Sequence, residues 1–480
     1  MPKRLTVILL LSVLCLSIHA QELQRLSEPD IMGTARFIGL GGAMTAVGGD
    51  PSAIHVNPAS VAIYRRYESA ITLGGHFDRT FQTNGPVEPT VGHFYMPEAA
   101  FVFAFGNDAR RKGLIYSNFS FCYNRVATYR RNTSAYFPNV DGSIAEQMAT
   151  ASQGIHASRL GSEGRWGDAG VGWLSLVGYD TYMIDPVGSD SSNWAPYTNW
   201  GPIRAPQIRM QESGYLDQFA FSWGANISNR WYIGLGLNIR SLRYSKVTDY
   251  VETTTSAAAA LRTTVSISGV GVNGTIGMMA QPVHFLRIGA SFQTPSFVST
   301  TERSYVDAET ENVHKDGERV LFKSQSPENV RRRDLSMPLK TTVGAAFFVG
   351  RYGLISLQYD FQYWKGIRNN HVLHAGMEWV VAQCLFINAG YAYSFVQGDP
   401  AYERNIAIND VRADTEWVSL RHQHSIGAAL GYRGPFGFVQ VGYRYGLRKQ
   451  TVYPFMTDAG ETTTGHIHDI VVTLGWHTVK

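Results

Sequence analysis

Apolar and polar residues alternate with a period of two through most of the chain after residue 66. In each run one face is apolar and often ends in an aromatic residue, and the other face is polar or glycine. The clearest runs span residues 219–227, 231–239, 355–363, 387–395 and 470–476. Successive side chains of a β-strand point to opposite faces, so this periodicity predicts strands rather than helices.

About fourteen such strands are predicted, and the connections between them alternate between short and long. Short turns fall near 107–109, 228–229, 281–282, 350–351, 382–383 and 434–435, and the longer links include 132–204, 304–333 and 398–416. A soluble sandwich also alternates, but here polar residues share one side and aromatic residues gather at strand ends. We therefore predict an all-β protein, a transmembrane antiparallel barrel of about 14 strands, over residues 66–480. Its tight turns face the periplasm and its long loops, above all 132–204, face outward.

A stretch at 31–61 is rich in glycine and small residues, is almost uncharged and ends in Asn57-Pro58-Ala59. It is too apolar for a linker and too rich in glycine for a stable helix. A barrel of fourteen strands is too wide to be filled by its own side chains. We therefore expect residues 21–65 to form a hatch that plugs the lumen.

The first twenty residues have the pattern of a secretory signal peptide, with a short basic region, an apolar run and a small residue at Ala20. A lipoprotein alternative would acylate Cys15, but the bulky Leu14 before it disfavours that. The net charge of +4 is too small to indicate a nucleic-acid partner. The mature chain keeps only Cys122 and Cys384, too few for a disulfide framework. The protein is therefore expected in the outer membrane of a Gram-negative cell.

The 31–61 stretch resembles the N-terminal hatch of the FadL/TodX family of outer-membrane transport proteins. The matching residues are Gly33, Ala35, Arg36, Gly41, Gly42, Ala43, Asp50, Ala53, Asn57, Pro58 and Ala59. The resemblance implies a monomer, surrounded by outer-membrane lipid, that takes up long-chain fatty acids or other small hydrophobic molecules. Outer loops would capture the ligand, and a hatch-gated or lateral opening would release it.

The resemblance also implies roles for individual residues. Gly33, Arg36, Gly41, Gly42, Asp50, Asn57, Pro58 and Ala59 would form or gate the hatch, although Asn57-Pro58-Ala59 also suits a purely structural turn. In the family a strand kink opens a lateral door. Pro97 lies inside a predicted strand and lacks an N–H group, so it is the candidate for such an opening here.

Five charged residues fall on the predicted inward face, where a charge is costly unless it is paired or wet. Arg240, Arg287, Asp360, Glu378 and Arg444 would anchor the hatch to the wall or bind a ligand carboxylate. In the long loop, Trp166, Trp173, Trp194 and Trp200 would form either an apolar surface that captures ligand or a cap packed over the mouth. Residues 143–153 of this loop are predicted to be weakly helical.

Histidines occur in pairs at 371/374, 422/424 and 466/468, and they would be metal or haem ligands or solvated residues. No catalytic motif is present, and Gly39-x-Gly41 lacks the third glycine of a dinucleotide fingerprint. We expect no enzyme activity, no cofactor and no metal. Two other functions stay open: a FadL-like barrel acting as a partner protein in a secretion or surface-assembly machine, and a receptor for haem or an aromatic compound.

Overall fold

The structure, a computed structural model, describes residues 25–478 except 29, 84, 108, 110–111, 139, 141, 189, 198–203, 255–256, 314–317, 365–368, 383, 398–410 and 456–458. The predicted signal peptide at 1–20 and Trp200 therefore lie outside the described residues. Among the described residues, no helix is both long enough and apolar enough to cross a membrane.

The strands found in the described residues are numbered in chain order. They are β1 (Glu68–Gln82), β2 (Val91–Gly106), β3 (Leu114–Thr128), β4 (Arg131–Tyr136), β5 (Ile184–Val187), β6 (Asp190–Pro196), β7 (Arg204–Ile227), β8 (Trp231–Thr253), β9 (Ala257–Val283), β10 (Leu286–Gln293), β11 (Ser296–Val313), β12 (Arg319–Gln325), β13 (Asn329–Met337), β14 (Leu339–Val349), β15 (Gly353–Tyr363), β16 (Asn369–Val381), β17 (Leu385–Gln397), β18 (Trp417–Arg433), β19 (Gly437–Tyr453) and β20 (Glu461–His477). The helices are α1 (Ala35–Gly39), α2 (Pro51–Val56), α3 (Ile144–Ser152), α4 (Ala157–Leu160) and α5 (Trp173–Asp180), with 3₁₀ helices at Pro58–Ile63 and Arg165–Gly167.

Eighteen of these strands form one antiparallel sheet, which closes where β1 pairs with β20 from Glu68↔His477 to Gln82↔Thr463. Three of the paths that cross the barrel consist of more than one strand. β3 and β4 form one path, β10 and β11 form another, and β12, β13 and β14 form a third. The result is a closed barrel of fourteen crossing paths. The predicted all-β class, the barrel and the strand number are confirmed.

The outward face of the barrel carries a band of exposed apolar side chains. Leu235, Ile276, Leu357, Ile426 and Leu430 are each more than half exposed. Such a band is what a transmembrane barrel presents to lipid. The two ends of the barrel differ. Both barrel termini and most of the short connections lie at one end, here called the turn end. The long connections lie at the other, the loop end, together with the short link between β8 and β9.

The hatch, residues 31–64, lies inside the barrel and is almost completely buried. Its apolar side chains pack on wall residues such as Leu354, Val372 and Ala429. Its backbone contacts the wall where inward positions are glycine. A Cβ atom on these glycines would overlap the hatch: Gly234, Gly277, Gly289, Gly376, Gly390 and Gly427. The inward glycines of the period-two pattern therefore make room for the hatch backbone.

A cap folded from residues 131–197 covers the loop end. Helix α3 confirms the predicted helix, and the Ser143 side chain caps it by accepting from the Glu146 N–H at 3.0 Å. The helices α3 and α5 and the β5–β6 hairpin share one apolar core that includes Phe137, Ile144 and Leu176. The segment predicted as a loop is thus a small folded cap.

Candidate functional site

A cavity of about 130 Å³ lies between the start of the hatch and the inner wall. Its hatch side combines the apolar Leu26, Ile31, Met32, Phe37 and Val56 with the polar Ser27, Glu28, Asp30 and His55. Its wall side is more polar and includes Gln218, Arg240, Lys340, Gln358, Asp360, His374 and Gln423. The cavity is therefore amphipathic, with one surface suited to a hydrocarbon and the other to a polar group.

Arg240 is the cavity cation whose hydrogen-bond partners, within the described part of the chain, are all neutral. The guanidinium donates to Gln218 Oε1 and to Ser296 Oγ, both at 2.9 Å, and its residue is only 8% exposed. Lys340, by contrast, pairs with Asp360 at 2.7 Å. A buried guanidinium without a counter-charge is costly, so Arg240 is the place where the cavity would attract an anion.

His55 of α2 faces the same cavity but adds no charge to it. Burial, together with the nearby cations Lys340 and Arg240, lowers the pKa of His55 to about 3. Desolvation disfavours the protonated imidazole, so the ring is neutral at pH 7. The unbalanced positive charge of the cavity is therefore that of Arg240.

Three of the predicted inward charges contact the hatch or Asp30, the residue just before it. Glu378 Oε1 accepts from Arg36 Nη2 at 3.0 Å, Arg444 Nη1 donates to Asp30 Oδ1 at 2.7 Å, and Arg287 Nη1 donates to the Val47 carbonyl at 2.7 Å. Charge-assisted hydrogen bonds of this kind are among the strongest that side chains form. The contacts suit an anchoring network, whereas Arg240 and Asp360 lie on the cavity itself.

The polar residues of the hatch motif fix the shape of the hatch itself. Asp50 caps α2 by accepting from the Ser52 N–H at 2.9 Å, and it also accepts from Thr34 Oγ1 at 2.8 Å. Asn57 caps the 3₁₀ helix that begins at Pro58, through the Ala59 N–H at 3.1 Å. Its amide nitrogen also donates to the Thr45 carbonyl at 2.9 Å.

The motif glycines allow tight turns at the wall. Gly41 and Gly42 have φ values of 60° and 82°, a left-handed conformation that favours glycine. The Gly41 carbonyl accepts from His374 Nδ1 at 2.7 Å, which ties this turn to β16. Gly33 lies against Ser52, where a Cβ atom would collide. The motif residues therefore have a clear structural role, and gating by them stays a prediction.

The barrel wall is incomplete between β2 and β3. Their pairing runs from Gly106↔Tyr116 to Glu98↔Asn124 and ends next to Pro97. Among the described pairings, residues 91–95 pair only with β1, and residues 125–128 lie only against β7. Pro97 has no N–H group to donate and sits at a β-bulge opposite Thr72–Gly74. The interruption is called the β2–β3 gap below.

The β2–β3 gap adjoins the cavity. Arg125, Val126 and Ala127, on the β3 side of the gap, also line the cavity. Arg125 is held in place by Asp217, with Nε–Oδ1 at 2.8 Å. Across the gap, His93 Nε2 lies 3.2 Å from Thr128 Oγ1. A side-chain hydrogen bond therefore links the two strands where backbone hydrogen bonds are missing. The cavity therefore adjoins the part of the wall where Pro97 was predicted to interrupt the hydrogen bonds between strands.

The structure corrects the predicted capture role of two tryptophans. Trp173 and Trp194 are each only 3% exposed, because their rings form part of the core of the cap. Their indole N–H groups donate to the carbonyls of Trp166 at 3.0 Å and Ile155 at 2.8 Å. Neither side chain can belong to an exposed capture surface. Trp166 packs at the edge of this core, and a capture role for it stays a prediction.

Most histidines of the three pairs have hydrogen-bond partners in the structure. Among the described residues, no group of three or more His, Cys, Asp or Glu side chains could hold a metal ion. His374 faces inward to Gly41, whereas His371, His424, His466 and His468 hydrogen-bond to tyrosines. These bonds give the rings a different explanation from metal or haem ligation.

A closed barrel with an internal hatch, an amphipathic cavity and a wall gap defines a plugged-barrel fold. No protein-family model and no curated protein matches the sequence. The structure is similar to that of a Pseudomonas aeruginosa FadL homologue, with a TM-score of 0.53 and 10% identity over 93% of this chain and 99% of that one.

Two further similar structures are the toluene transporters TodX of Pseudomonas putida and TbuX of Ralstonia pickettii. TodX has a TM-score of 0.52 and 10% identity over 94% of this chain and 99% of that one. TbuX has a TM-score of 0.51 and 11% identity over 93% of this chain and 98% of that one. At these identities the likeness shows the fold, and the FadL-type barrel fold implied by the resemblance is confirmed.

Proposed function

We propose that the protein is an outer-membrane passive transporter for small hydrophobic molecules that carry a carboxylate, with long-chain fatty acids as the first candidates. The observation that carries this proposal is the amphipathic cavity, which has an unpaired Arg240 at its polar side and the β2–β3 gap at its edge. The toluene transporters of the same fold support the broader class of hydrophobic cargo.

The polar side of the cavity suits a carboxylate better than a neutral ligand. A guanidinium presents paired N–H groups that match the two oxygens of a carboxylate. Gln218 and Ser296 orient Arg240 but leave its charge uncompensated. A bound carboxylate would supply that counter-charge, and the hydrocarbon tail would lie against the hatch side at Ile31, Phe37 and Val56.

The β2–β3 gap offers a route that keeps an apolar tail out of water. A ligand in the cavity is next to residues 125–127, and beyond them lies the outward face of the barrel. Moving sideways through the gap would deliver the tail directly to lipid, whereas leaving past the hatch would expose it to the periplasm. The apolar tail therefore favours lateral release over hatch displacement.

The Arg240→Met variant tests the role assigned to the cavity. Methionine keeps an unbranched side chain but removes the charge and the donors. We expect the Kd for oleate to rise roughly ten- to hundredfold, the effect of losing a hydrogen-bonded charge pair. Oleyl alcohol, which has the same tail and no charge, should bind both proteins with nearly equal affinity. Equilibrium binding to the purified barrel measures both ligands. Parallel losses for the acid and the alcohol, or no loss for either, would contradict the proposed carboxylate site.

A further inference from the structure

A second cavity, with a volume of about 490 Å³, lies at the turn end of the barrel. Its lining combines Ile63, at the end of the hatch, with residues of the β7–β8 and β9–β10 connections. The linings of this cavity and of the amphipathic cavity have no residue in common. The second cavity is therefore separate from the site proposed for the transported molecule, and its volume suits a small ligand.

The side chains that line this cavity carry positive charge. Three arginines and one histidine line it, here together called the basic pocket: Arg65, Arg230, Arg287 and His284. Its described lining includes no Asp or Glu. The lining of the amphipathic cavity, by contrast, includes the carboxylates of Glu28, Asp30 and Asp360. The basic pocket therefore has a positive charge that its own lining does not balance.

Arg287 is a partly buried cation of the basic pocket, and its hydrogen bonding is incomplete. Its Nη1 donates to the Val47 carbonyl at 2.7 Å and its Nη2 to Gln281 Oε1 at 3.3 Å, so both acceptors are neutral. Its Nε is buried and has no hydrogen-bond partner among the described residues. The guanidinium carbon lies 5.5 Å from the centre of the Tyr232 ring and 4.9 Å from that of Phe348. These contacts position the guanidinium but supply no counter-charge, so an anion would stabilise it.

The β7–β8 connection holds its part of the basic pocket in a fixed shape. Ser228 and Asn229 have φ values of 58° and 52°, a conformation that residues other than glycine rarely adopt. The Asn226 side chain stabilises it, because Oδ1 accepts from the Asn229 N–H at 3.0 Å and Nδ2 donates to Asn229 Oδ1 at 2.9 Å. Ser228 Oγ also accepts from the Gly113 N–H at 3.0 Å. Arg230 therefore extends from a preorganised turn, which lowers the cost of ordering it around a ligand.

The neighbouring connections add to the positive charge of the turn end. Six links join strands there: 107–113, 228–230, 284–285, 350–352, 382–384 and 434–436. They contain one acidic residue, Asp108, and five basic residues: Arg110, Arg111, Lys112, Arg230 and Arg351. The cap at the loop end has the opposite balance, with seven acidic and three basic residues in 131–197. Clustered charge of one sign raises the local concentration of ligands of the other sign, so anions are attracted to the turn end.

We propose that the basic pocket binds a phosphate group, either as the free ion or as the monoester of a small soluble molecule. A single carboxylate would balance only one of the three guanidinium charges. A phosphate group carries roughly −1.5 to −2 charges at pH 7 and has three strong acceptor oxygens, which matches a pocket lined by three arginines. Because Arg287 also bonds to Val47 of the hatch, the pocket lies on the lumen side of the wall. Its ligand would therefore come from the solution at the turn end and not from the surrounding lipid. This inference goes beyond the proposed transport and does not depend on it.

The test measures phosphate binding by the purified full-length barrel in a neutral detergent, by isothermal titration calorimetry in phosphate-free buffer. Inorganic phosphate, glycerol 3-phosphate and acetate are titrated separately. The wild type should bind at least one of the two phosphates saturably, and should bind acetate at least about tenfold more weakly. Tighter binding of glycerol 3-phosphate would identify a monoester as the ligand, and tighter binding of inorganic phosphate would identify the free ion.

Two variants test the residues of the basic pocket. R65Q/R230Q should raise the Kd for phosphate at least about tenfold, because hydrogen bonds to charged groups each contribute severalfold to binding. Arg287→Lys keeps the positive charge but removes the planar set of donors, and it should raise the Kd several-fold.

R66Q/R351Q is the matched control. It removes two exposed cations from the same end of the barrel, and neither of them lines the basic pocket. At physiological ionic strength, where distant charges are screened, it should keep the wild-type Kd within about twofold. A gel-mobility shift on heating checks that each variant is folded. The basic pocket would be overturned if the wild type bound neither phosphate saturably, if R65Q/R230Q bound as tightly as the wild type, or if both double variants lost affinity equally. No fatty acid is present in this assay, so its outcome is independent of the transport proposal.

Discussion

A cleavable cross-link across the β2–β3 gap is expected to lower oleate uptake at least about tenfold, because it blocks the exit next to the cavity. Cysteines at positions 93 and 128 would replace His93 and Thr128, whose side chains already meet across the gap at 3.2 Å. Cys122 and Cys384 are first changed to serine so that only the new pair reacts. Uptake of radiolabelled oleate by whole cells is measured after treatment with a short thiol-reactive reagent that contains a disulfide.

Reduction of the reagent should restore uptake in the same cells, which separates the effect of the cross-link from that of the substitutions. The control pair is Phe103→Cys and Phe119→Cys, at a register position where β2 and β3 are already paired. A link there changes nothing about the gap and should leave uptake unchanged. Uptake that is equally fast with the gap linked would rule out lateral release and favour passage by the hatch.

Replacing Gly390 by leucine is expected to turn the plugged barrel into an ion-conducting pore. A side chain at Gly390 would occupy the space of the Leu40–Gly41 backbone, so the hatch cannot seat against β17. A barrel of fourteen strands without its plug is wide enough for an aqueous lumen. Planar-bilayer recordings should show stable openings for the variant and a nearly closed wild type.

Gly274→Leu is the matched control for this effect. Gly274 is also a barrel glycine on a long strand, but it faces outward, and the nearest atom to an added Cβ is Gly236 O at 4.0 Å. Its leucine would simply extend the apolar band, so the wild-type conductance should persist. If the Gly390→Leu variant inserts correctly but shows no ionic conductance, the hatch does not seal the lumen.

Strand positions could be predicted well from the sequence wherever the outward face meets the apolar band. There the residues alternate regularly, because outward side chains contact lipid and inward side chains face the lumen. The prediction was wrong for 304–333, which was assigned as a link but contains all of β12 and more than half of β11 and of β13. In this region the outward residues are charged pairs such as Lys323–Glu309, so the hydrophobic pattern disappears although the ladder continues.

The candidate site could be predicted only in part, because its properties depend on which strands become neighbours. Arg240 was assigned to the inward face from its strand alone. Its neutral partners, Gln218 and Ser296, come from other strands, β7 and β11. No local pattern in the sequence around Arg240 predicts these partners. Arg125 and His55 were missed for the same reason. Trp173 and Trp194 were misassigned because a cap core and a capture surface have the same composition.

The most direct test of the transport proposal is uptake in a strain that lacks its own fatty-acid uptake protein. The wild-type chain should confer saturable uptake of radiolabelled oleate, Arg240→Met should confer it only at much higher oleate concentration, and an empty vector should confer none. Lipids extracted from the purified wild-type barrel should then contain a hydrophobic acid. Uptake no faster than with the empty vector, together with a stoichiometric protein partner and no bound acid, would contradict transport and indicate a role in a secretion or surface-assembly machine.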